Sequence, residues 1–374
     1  MKPITATAVS GGVDSLMTAH LLKEQGHHVI GIHFITGYED EVPVKSPNNH
    51  LLRSHKIFSI ADQLKIDIEI VDCRIAFKTH VVDYFIKTYQ AGQTPNPCMV
   101  CNPFIKFGTV LNYARKLGAS TLATGHYARL MEDRRGRFHL YRGVDPKKDQ
   151  SYFLARLTQL QLAGARFPLG TKKKKDIIHL AGQKGFKPVT TGESQDVCFI
   201  KGKNYGEFLS RHRGFEPKPG LIQDVSGRVL GEHKGLHLFT IGQRRGINCP
   251  ASEPYYVVRM DTRQNILTVG FKKDLFTSQC KVQDINWIQE IPNREIAVHT
   301  RVRYRHTAAA SRLTTVDEKT AVVRFEKAQE AVTPGQCAVF YRGDEVLGGD
   351  RPSSRSARSR APPPGSSEGR CSGA

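Results

Sequence analysis

Cys98 and Cys101 stand three residues apart in TPNPCMVCNPFIKFG, Thr94 to Gly108. Pro95 and Pro97 stiffen what reads as a loop, and Lys106 places positive charge where it favours thiolate over thiol. A third cysteine, Cys198, sits in GESQDVCFI, Gly192 to Ile200, between polar residues and an apolar end. A lone cysteine is more often a small buried hydrophobe. Here both segments are polar, loop-like and flanked by proline or glycine, which points to reactive sulfur. A CxxC pair can hold zinc, yet a structural site needs four ligands and no second CxxC or HxxxH partner is present. A three-thiolate iron-sulfur site formed by Cys98, Cys101 and Cys198, with one iron open, stays compatible with the sequence.

A second chemical signal is SGGVDS, Ser10 to Ser15, between a strand pattern and a helix pattern. A turn there aims several backbone N–H groups, two hydroxyls and a helix N-terminus at one point, which suits a phosphate. Gly11 and Gly12 lack a Cβ, so the backbone can approach closely. The GxxxxGK[ST] spacing of the P-loop, and its lysine, are missing.

The elements that must hold these groups read as α/β. Strand patterns at Ile4 to Val9, His28 to Ile35, Asp67 to Val71 and Thr121 to Thr124 alternate with helix patterns at Asp14 to Gln25, Leu51 to Leu64, Phe77 to Tyr89 and Ile105 to Leu117, as a parallel sheet with crossover helices requires. Lys172 to Lys175 reads as the solvated face of a helix start. Beyond about Lys203 come basic, glycine-rich segments and then short alternating strands from Tyr255 to Phe340. The expected organisation is an α/β domain over 1–202, a small central domain over 203–275, a β-barrel over 276–349, and from residue 350 an Arg/Ser/Pro/Gly tail with too few apolar residues to order itself.

At 374 residues the chain exceeds a single ordinary core. Its formal charge of +20 and pI of 9.7 call for a polyanionic partner, most simply a nucleic acid. The tail from Arg351 carries five arginines against one glutamate, so most of the excess lies before it. No run approaches the roughly 20 apolar residues of a membrane span. The N-terminus passes straight from strand to glycine loop without the apolar stretch of a secretory leader. Eight cysteines in such a chain read as reduced thiols, and the expected location is the cytoplasm.

SGGVDS resembles the loop of the N-type ATP pyrophosphatases, which adenylate a carbonyl oxygen. Taken with NPCMVCN and FIKFG, ATGHYAR (Ala123 to Arg129), KDQSYFL (Lys148 to Leu154), GESQDVCFI, FTIGQRRG (Phe239 to Gly246), VRYR (Val302 to Arg305) and AVTPGQCAVFY (Ala331 to Tyr341), the chain resembles the tRNA-specific 2-thiouridylases from about Thr7 to Gly349. The resemblance implies an α/β PP-loop domain of adenine nucleotide α-hydrolase type, a small central domain and a C-terminal β-barrel. It implies 2-thiolation of the wobble uridine of tRNA with ATP, using persulfide sulfur from a cysteine desulfurase or relay protein; the charge of the departing pyrophosphate calls for Mg²⁺ as well.

The same resemblance implies that Cys101 is the nucleophile and Cys198 the persulfide carrier; the chemistry then allows either direct attack by the persulfide, with Cys101 resolving the link into a Cys101–Cys198 disulfide, or release of hydrosulfide by Cys101. It assigns ATP to Ala8, Val9, Ser10, Gly11, Gly12, Val13, Asp14, Ser15, Phe34 and Gly125. It assigns the target base to Asn96, Pro97 and Cys98, although Cys98 stands where relatives can carry aspartate. The remaining tRNA contacts would be His126, Lys148, Asp149, Gln150, Arg303, Tyr304 and Gln336, with Arg244, Arg245 and Arg305 as further phosphate candidates. Two rival functions share part of this pattern. A small-molecule adenylating ligase would need SGGVDS but not the paired thiols, and a noncatalytic RNA-binding module would need the charge but not SGGVDS.

Overall fold

Short β-branched runs buried on both faces belong at the centre of a parallel sheet. The computed structural model, which describes residues 3–39, 55–189, 197–200, 205–212 and 215–350, builds one from β1 (Ile4–Ala8), β2 (His28–Ile35), β3 (Ile68–Asp72) and β4 (Thr121–Ala123). A hairpin follows, β5 (Ala128–Glu132) and β6 (Phe138–Arg142), and then the two-residue β7 (Ala165–Arg166). The sheet order is β3-β2-β1-β4-β7, with every pairing parallel. Each sequence-read strand lies within a residue or so of its place. The first helix, α1 (Val13–Glu24), buries Leu16, Met17, Ala19 and Leu22.

The segment read as a proline- and cysteine-rich loop is instead helical from Cys98 onward. Pro97 is the N-cap, Cys98–Cys101 forms the first turn, Asn102–Val110 is a π-helix, and Leu111–Lys116 returns to α geometry. Pro103 has no N–H to give the preceding turn, and the helix widens there to i→i+5 bonding. Another π turn, Lys78–Val82, interrupts the helical run 74–90.

The central region has β8 (Gly220–Asp224), β9 (Val229–His233), β10 (Tyr256–Asp261) and β11 (Ile266–Gly270) in the order β10-β11-β8-β9, around Ile222, Val257, Leu267 and Val269. The C-terminal region adds β12 (Phe276–Val282), β13 (Asn286–Trp287), β14 (Ile296–Arg301), β15 (Ala309–Asp317), β16 (Thr320–Glu330), β17 (Ala338–Arg342) and β18 (Glu345–Asp350). These strands are antiparallel neighbours in the order β12-β16-β15-β14-β17-β18, and the sheet continues into β6 and β5. The hairpin that follows β4 therefore belongs, by pairing, to the C-terminal sheet.

That seam is a shared core. Tyr152, Leu154 and Leu157 pack in one cluster with Ile288, Val339, Tyr341 and Val346. The Tyr152 hydroxyl donates to the Cys337 carbonyl at 2.9 Å, and the Arg142 guanidinium lies 4.0 Å from the centre of the Tyr341 ring. β18 extends one residue past Gly349. Asp350 is fully buried, opposite Ala338, with the Arg156 Nε 3.0 Å from its carboxylate. Among the described residues, no helix is long and apolar enough to cross a membrane.

Candidate active site

β1 is flanked by β2 on one side and β4 on the other, so the chain reverses direction across the sheet at this point. A crevice at the carboxyl ends of such a strand pair is where open α/β sheets take ligands. The loop after β1 is SGGVDS, and the loop after β4 is Thr124 to Tyr127. Ala8 ends β1, Val9 is buried with its N–H bonded to the Ile32 carbonyl, and Ser10 is exposed. Gly11 has φ of +85°, a conformation glycine adopts without strain. Gly12 caps α1, and the Ser15 hydroxyl donates to its carbonyl at 2.8 Å. Phe34 lies in β2, packed against the main core. Gly125 presses on the start of α1, where a Cβ would come within 2.9 Å of the Asp14 Cβ and 3.1 Å of its backbone carbon.

Asp14 brings in residues that sequence reasoning missed. The Tyr127 hydroxyl donates to its Oδ1 at 2.8 Å, and the Lys174 ammonium bonds both carboxylate oxygens, at 2.8 and 2.7 Å. Lys174 is thus no part of a solvated face, in contrast to Lys172, Lys173 and Lys175, which are exposed.

The second part of the site is sulfur. Cys98 and Cys101 lie on consecutive turns of one helix, and Cys198 arrives from Val197–Ile200. Phe199 anchors that segment: it is buried among Phe77, Phe85 and Phe208, with ring centres 5.2 to 5.7 Å away. Burying such a ring contributes roughly 1.5–3 kcal/mol. Gly192 to Asp196, the rest of that motif, lies outside the described residues. Cys98 and Cys198 are exposed, and Cys101 is half-buried. Desolvation by the surrounding protein pushes Cys101 up to about 12 and Cys198 up to about 11, and it raises Cys98 as well. Lys106 opposes the rise at all three, but desolvation outweighs it, so the expected thiolate is a thiol at neutral pH. Cys73, buried beyond β3, adds its own field at Cys101. Among the described residues no three Cys, His, Asp or Glu side chains form a group that could hold a metal ion.

His126 joins the two halves. It is buried, with Nδ1 2.7 Å from the Thr124 hydroxyl and Nε2 3.4 Å from the Lys106 ammonium. An ammonium can only donate, so Nε2 accepts and the ring proton on Nδ1 points to Thr124, an assignment inferred from the network. Burial and the Lys106 charge hold this imidazole well below its ordinary pKa, so it is neutral.

Three family profiles match in succession. These are the tRNA methyl transferase HUP domain over residues 4–202, the tRNA methyl transferase PRC-barrel domain over 206–271, and the aminomethyltransferase β-barrel domain over 277–351. A protein of Desulfosudis oleivorans named tRNA-specific 2-thiouridylase MnmA is 50% identical over 348 residues, 93% of this chain and 94% of that one. Proteins of the same name from Geotalea uraniireducens and Geobacter metallireducens are 43% and 42% identical, over 91% of this chain and 92% and 94% of theirs. The chain belongs to the tRNA-specific 2-thiouridylase family.

Many residues expected from the resemblance to meet RNA are structural ties in this chain. The Gln336 amide donates to the carbonyls of Thr94 and Pro95 at 3.1 and 3.0 Å, clamping the approach to Cys98 onto the C-terminal sheet. Asn96 is buried, its N–H bonded to the Tyr84 hydroxyl, and its carbonyl accepts from Met99. Asp149 is buried, accepting from the N–H groups of Gly143 and Ser151 and from Arg301 at 3.1 Å. Gln150 accepts from the Tyr127 N–H. Arg303 donates to the Ile241 carbonyl at 2.7 Å and to the Thr333 hydroxyl, and burial lowers its pKa. Tyr304 packs on Phe153 with centres 4.3 Å apart, under the Arg301 guanidinium. Lys148 is partly exposed, and Arg244, Arg245 and Arg305 are exposed.

Proposed function

We propose that this chain catalyses the ATP-dependent 2-thiolation of the wobble uridine of tRNA. Family membership carries the reading, and the joining of a phosphate-type loop to three cysteines through His126 and Lys106 supports it. A uridine 2-carbonyl is a poor electrophile with an oxide-like leaving group. Attack of its oxygen on the α-phosphorus of ATP, with pyrophosphate departing, converts that oxygen into the leaving group AMP. The N–H groups of Ser10 to Ser15 are the donors for the departing charge. Mg²⁺ carried on the triphosphate would neutralise part of its charge.

Sulfur then follows one of two balanced routes. In the first, the terminal sulfur of a Cys198 persulfide attacks C2 and expels AMP. Cys101 then attacks the Cys198 sulfur, leaving 2-thiouridine and a Cys101–Cys198 disulfide. In the second, Cys101 attacks the persulfide first, releasing hydrosulfide, which displaces AMP. Both require both thiols, and both need an external dithiol to reduce the disulfide. A desulfurase or sulfur-relay protein is the persulfide donor.

The roles assigned to the base-contacting residues Asn96, Pro97 and Cys98, and to the tRNA contacts from His126 to Gln336, are part of this proposal. The test is mass spectrometry of nucleosides from unmodified tRNA after incubation with ATP, Mg²⁺, a desulfurase with cysteine, and either the intact protein or its Cys198→Ala variant. The expected result is 2-thiouridine with the intact protein alone. ATP turnover without thiolation under every reducing condition would turn the reading toward a ligase.

A further inference from the structure

The rim of the thiol site carries apolar side chains that no core uses. β3 ends at Asp72, at the carboxyl edge of the parallel sheet where SGGVDS also opens, and the helical run 74–90 starts there. Phe77, in its first turn, goes inward and meets Phe199, the neighbour of Cys198, with ring centres 5.7 Å apart. Ile75 goes outward and is 85% exposed. Farther along the run, His80 is exposed and stacks on Phe104, with ring centres 4.7 Å apart and planes inclined by 13°. Phe104 is itself 43% exposed and follows Cys101 on the cysteine-bearing helix.

An exposed isoleucine alone calls for no account, since scattered apolar side chains are ordinary on a surface. Here the apolar groups flank the exposed Cys98 and Cys198, and the charge around them is neutralised. Arg74 pairs with Asp72 at 2.6 Å and Lys78 with Asp83 at 2.9 Å, so residues 72–83 carry two acids against two bases in a chain of formal charge +20. Lys106, the cation of Asn102–Val110, bonds inward to His126. An RNA backbone is drawn to cations that have no carboxylate beside them. A charge-neutral patch of apolar and aromatic side chains is what a protein partner buries.

We propose that the patch formed by Ile75, His80 and Phe104 is the docking surface for the protein that delivers sulfane sulfur to Cys198. This rests on the sulfur-transfer reading above. The partner is a protein with a persulfide on an exposed cysteine, which meets Cys198 from the solvent side. The Cys198 thiolate attacks the terminal sulfur, the donor's S–S bond breaks, and the donor cysteine leaves as a thiolate. One persulfide is consumed and one is formed, with no net oxidation.

The experiment is steady-state 2-thiouridine formation on unmodified tRNA with ATP and Mg²⁺, using two sulfur sources. One is a cysteine desulfurase supplied with cysteine, with or without a sulfur-relay protein; the other is inorganic polysulfide, which loads a cysteine without docking. Ile75→Lys and Phe104→Ser should each raise the apparent KM for the donor protein about tenfold or more, the effect of losing an apolar anchor at an interface. With polysulfide, the rate and the KM for tRNA should stay within about twofold of the wild type, as for an ordinary surface substitution. Val316→Ser, which removes a side chain 59% exposed on β15, should match the wild type with both sources.

A raised KM for tRNA with polysulfide would make the patch an RNA contact and overturn the assignment. An unchanged KM for the donor protein in both variants would overturn it too, as would a wild type that polysulfide loads and no donor protein does. A wild type that forms no 2-thiouridine from either source would overturn the sulfur-transfer reading, and the docking surface with it. Melting curves separate loss of docking from loss of fold; Ile75→Lys tests the proposal alone if Phe104→Ser, which gives up its stack on His80, melts early.

Discussion

Desolvation raises Cys101 to about 12 and Cys198 to about 11, which makes the thiol the resting form of both at neutral pH. Such groups have a legible signature. Their alkylation by iodoacetamide, followed by peptide mass spectrometry, should quicken about tenfold per pH unit from pH 7 to 10 without levelling, because thiolate remains the minor form across that window. Lys106→Met should slow it at every pH, since Lys106 is the charge that favours the thiolate. A plateau near pH 8 would show thiols of ordinary acidity and contradict the enclosure described here. The thiols themselves were legible from CxxC spacing and polar flanks. Their protonation state was not, because the groups that act on Cys101 include Cys73 and Cys198, which no spacing rule connects to it. Lys174 was hidden for the same reason: in a run of four lysines, nothing local tells which one turns inward.

The π-helix Asn102–Val110 shapes the site at the scale of the element. With i→i+5 bonding, residue 106 stacks above residue 101, whereas in an α-helix it would turn away from it. Pro103 is the visible cause, yet a proline read from sequence signals a break, and the helical read began only at Ile105. The first four strands are legible almost to the residue because short β-branched runs leave little choice of structure, whereas β5 to β9 carry no such run and are not legible as strands. The clamp on Thr94 can be tested in the same frame. Gly335 has φ of +87°, and a Cβ there would lie 2.7 Å from the Thr94 carbonyl oxygen. Gly335→Ala should therefore cost about 1–3 kcal/mol and lower the denaturant midpoint. It should also make Cys98 alkylate faster as the Thr94 to Pro97 approach loosens. An unchanged midpoint and an unchanged Cys98 rate would show that the clamp is dispensable.

At the scale of the whole molecule, the expected partition at residue 202 follows the motifs but not the pairing. β6 bonds to β18 through Tyr141 and Glu345, and Arg129 reaches Asp344 at 2.8 Å. Sequence could not reveal this, since the hairpin's own alternation is satisfied by any antiparallel partner and names none. A fragment ending at residue 202 should lack a cooperative thermal transition and bind a hydrophobic dye, because Tyr152 and Leu154 lose Val339, Tyr341 and Val346. A sharp two-state melt of that fragment would disprove the shared core.

This seam also has a consequence in time. During synthesis, the edge of β6 leaves the ribosome about two hundred residues before β18 does, an interval of roughly ten to forty seconds at ordinary elongation rates. Throughout it the SGGVDS loop, Cys98 and Cys101 are already made, while the strand that closes the seam is not. The growing chain thus carries an open strand edge and unpaired thiols together, and protection of nascent chains by chaperones and thiol reductants matters most between those two strands.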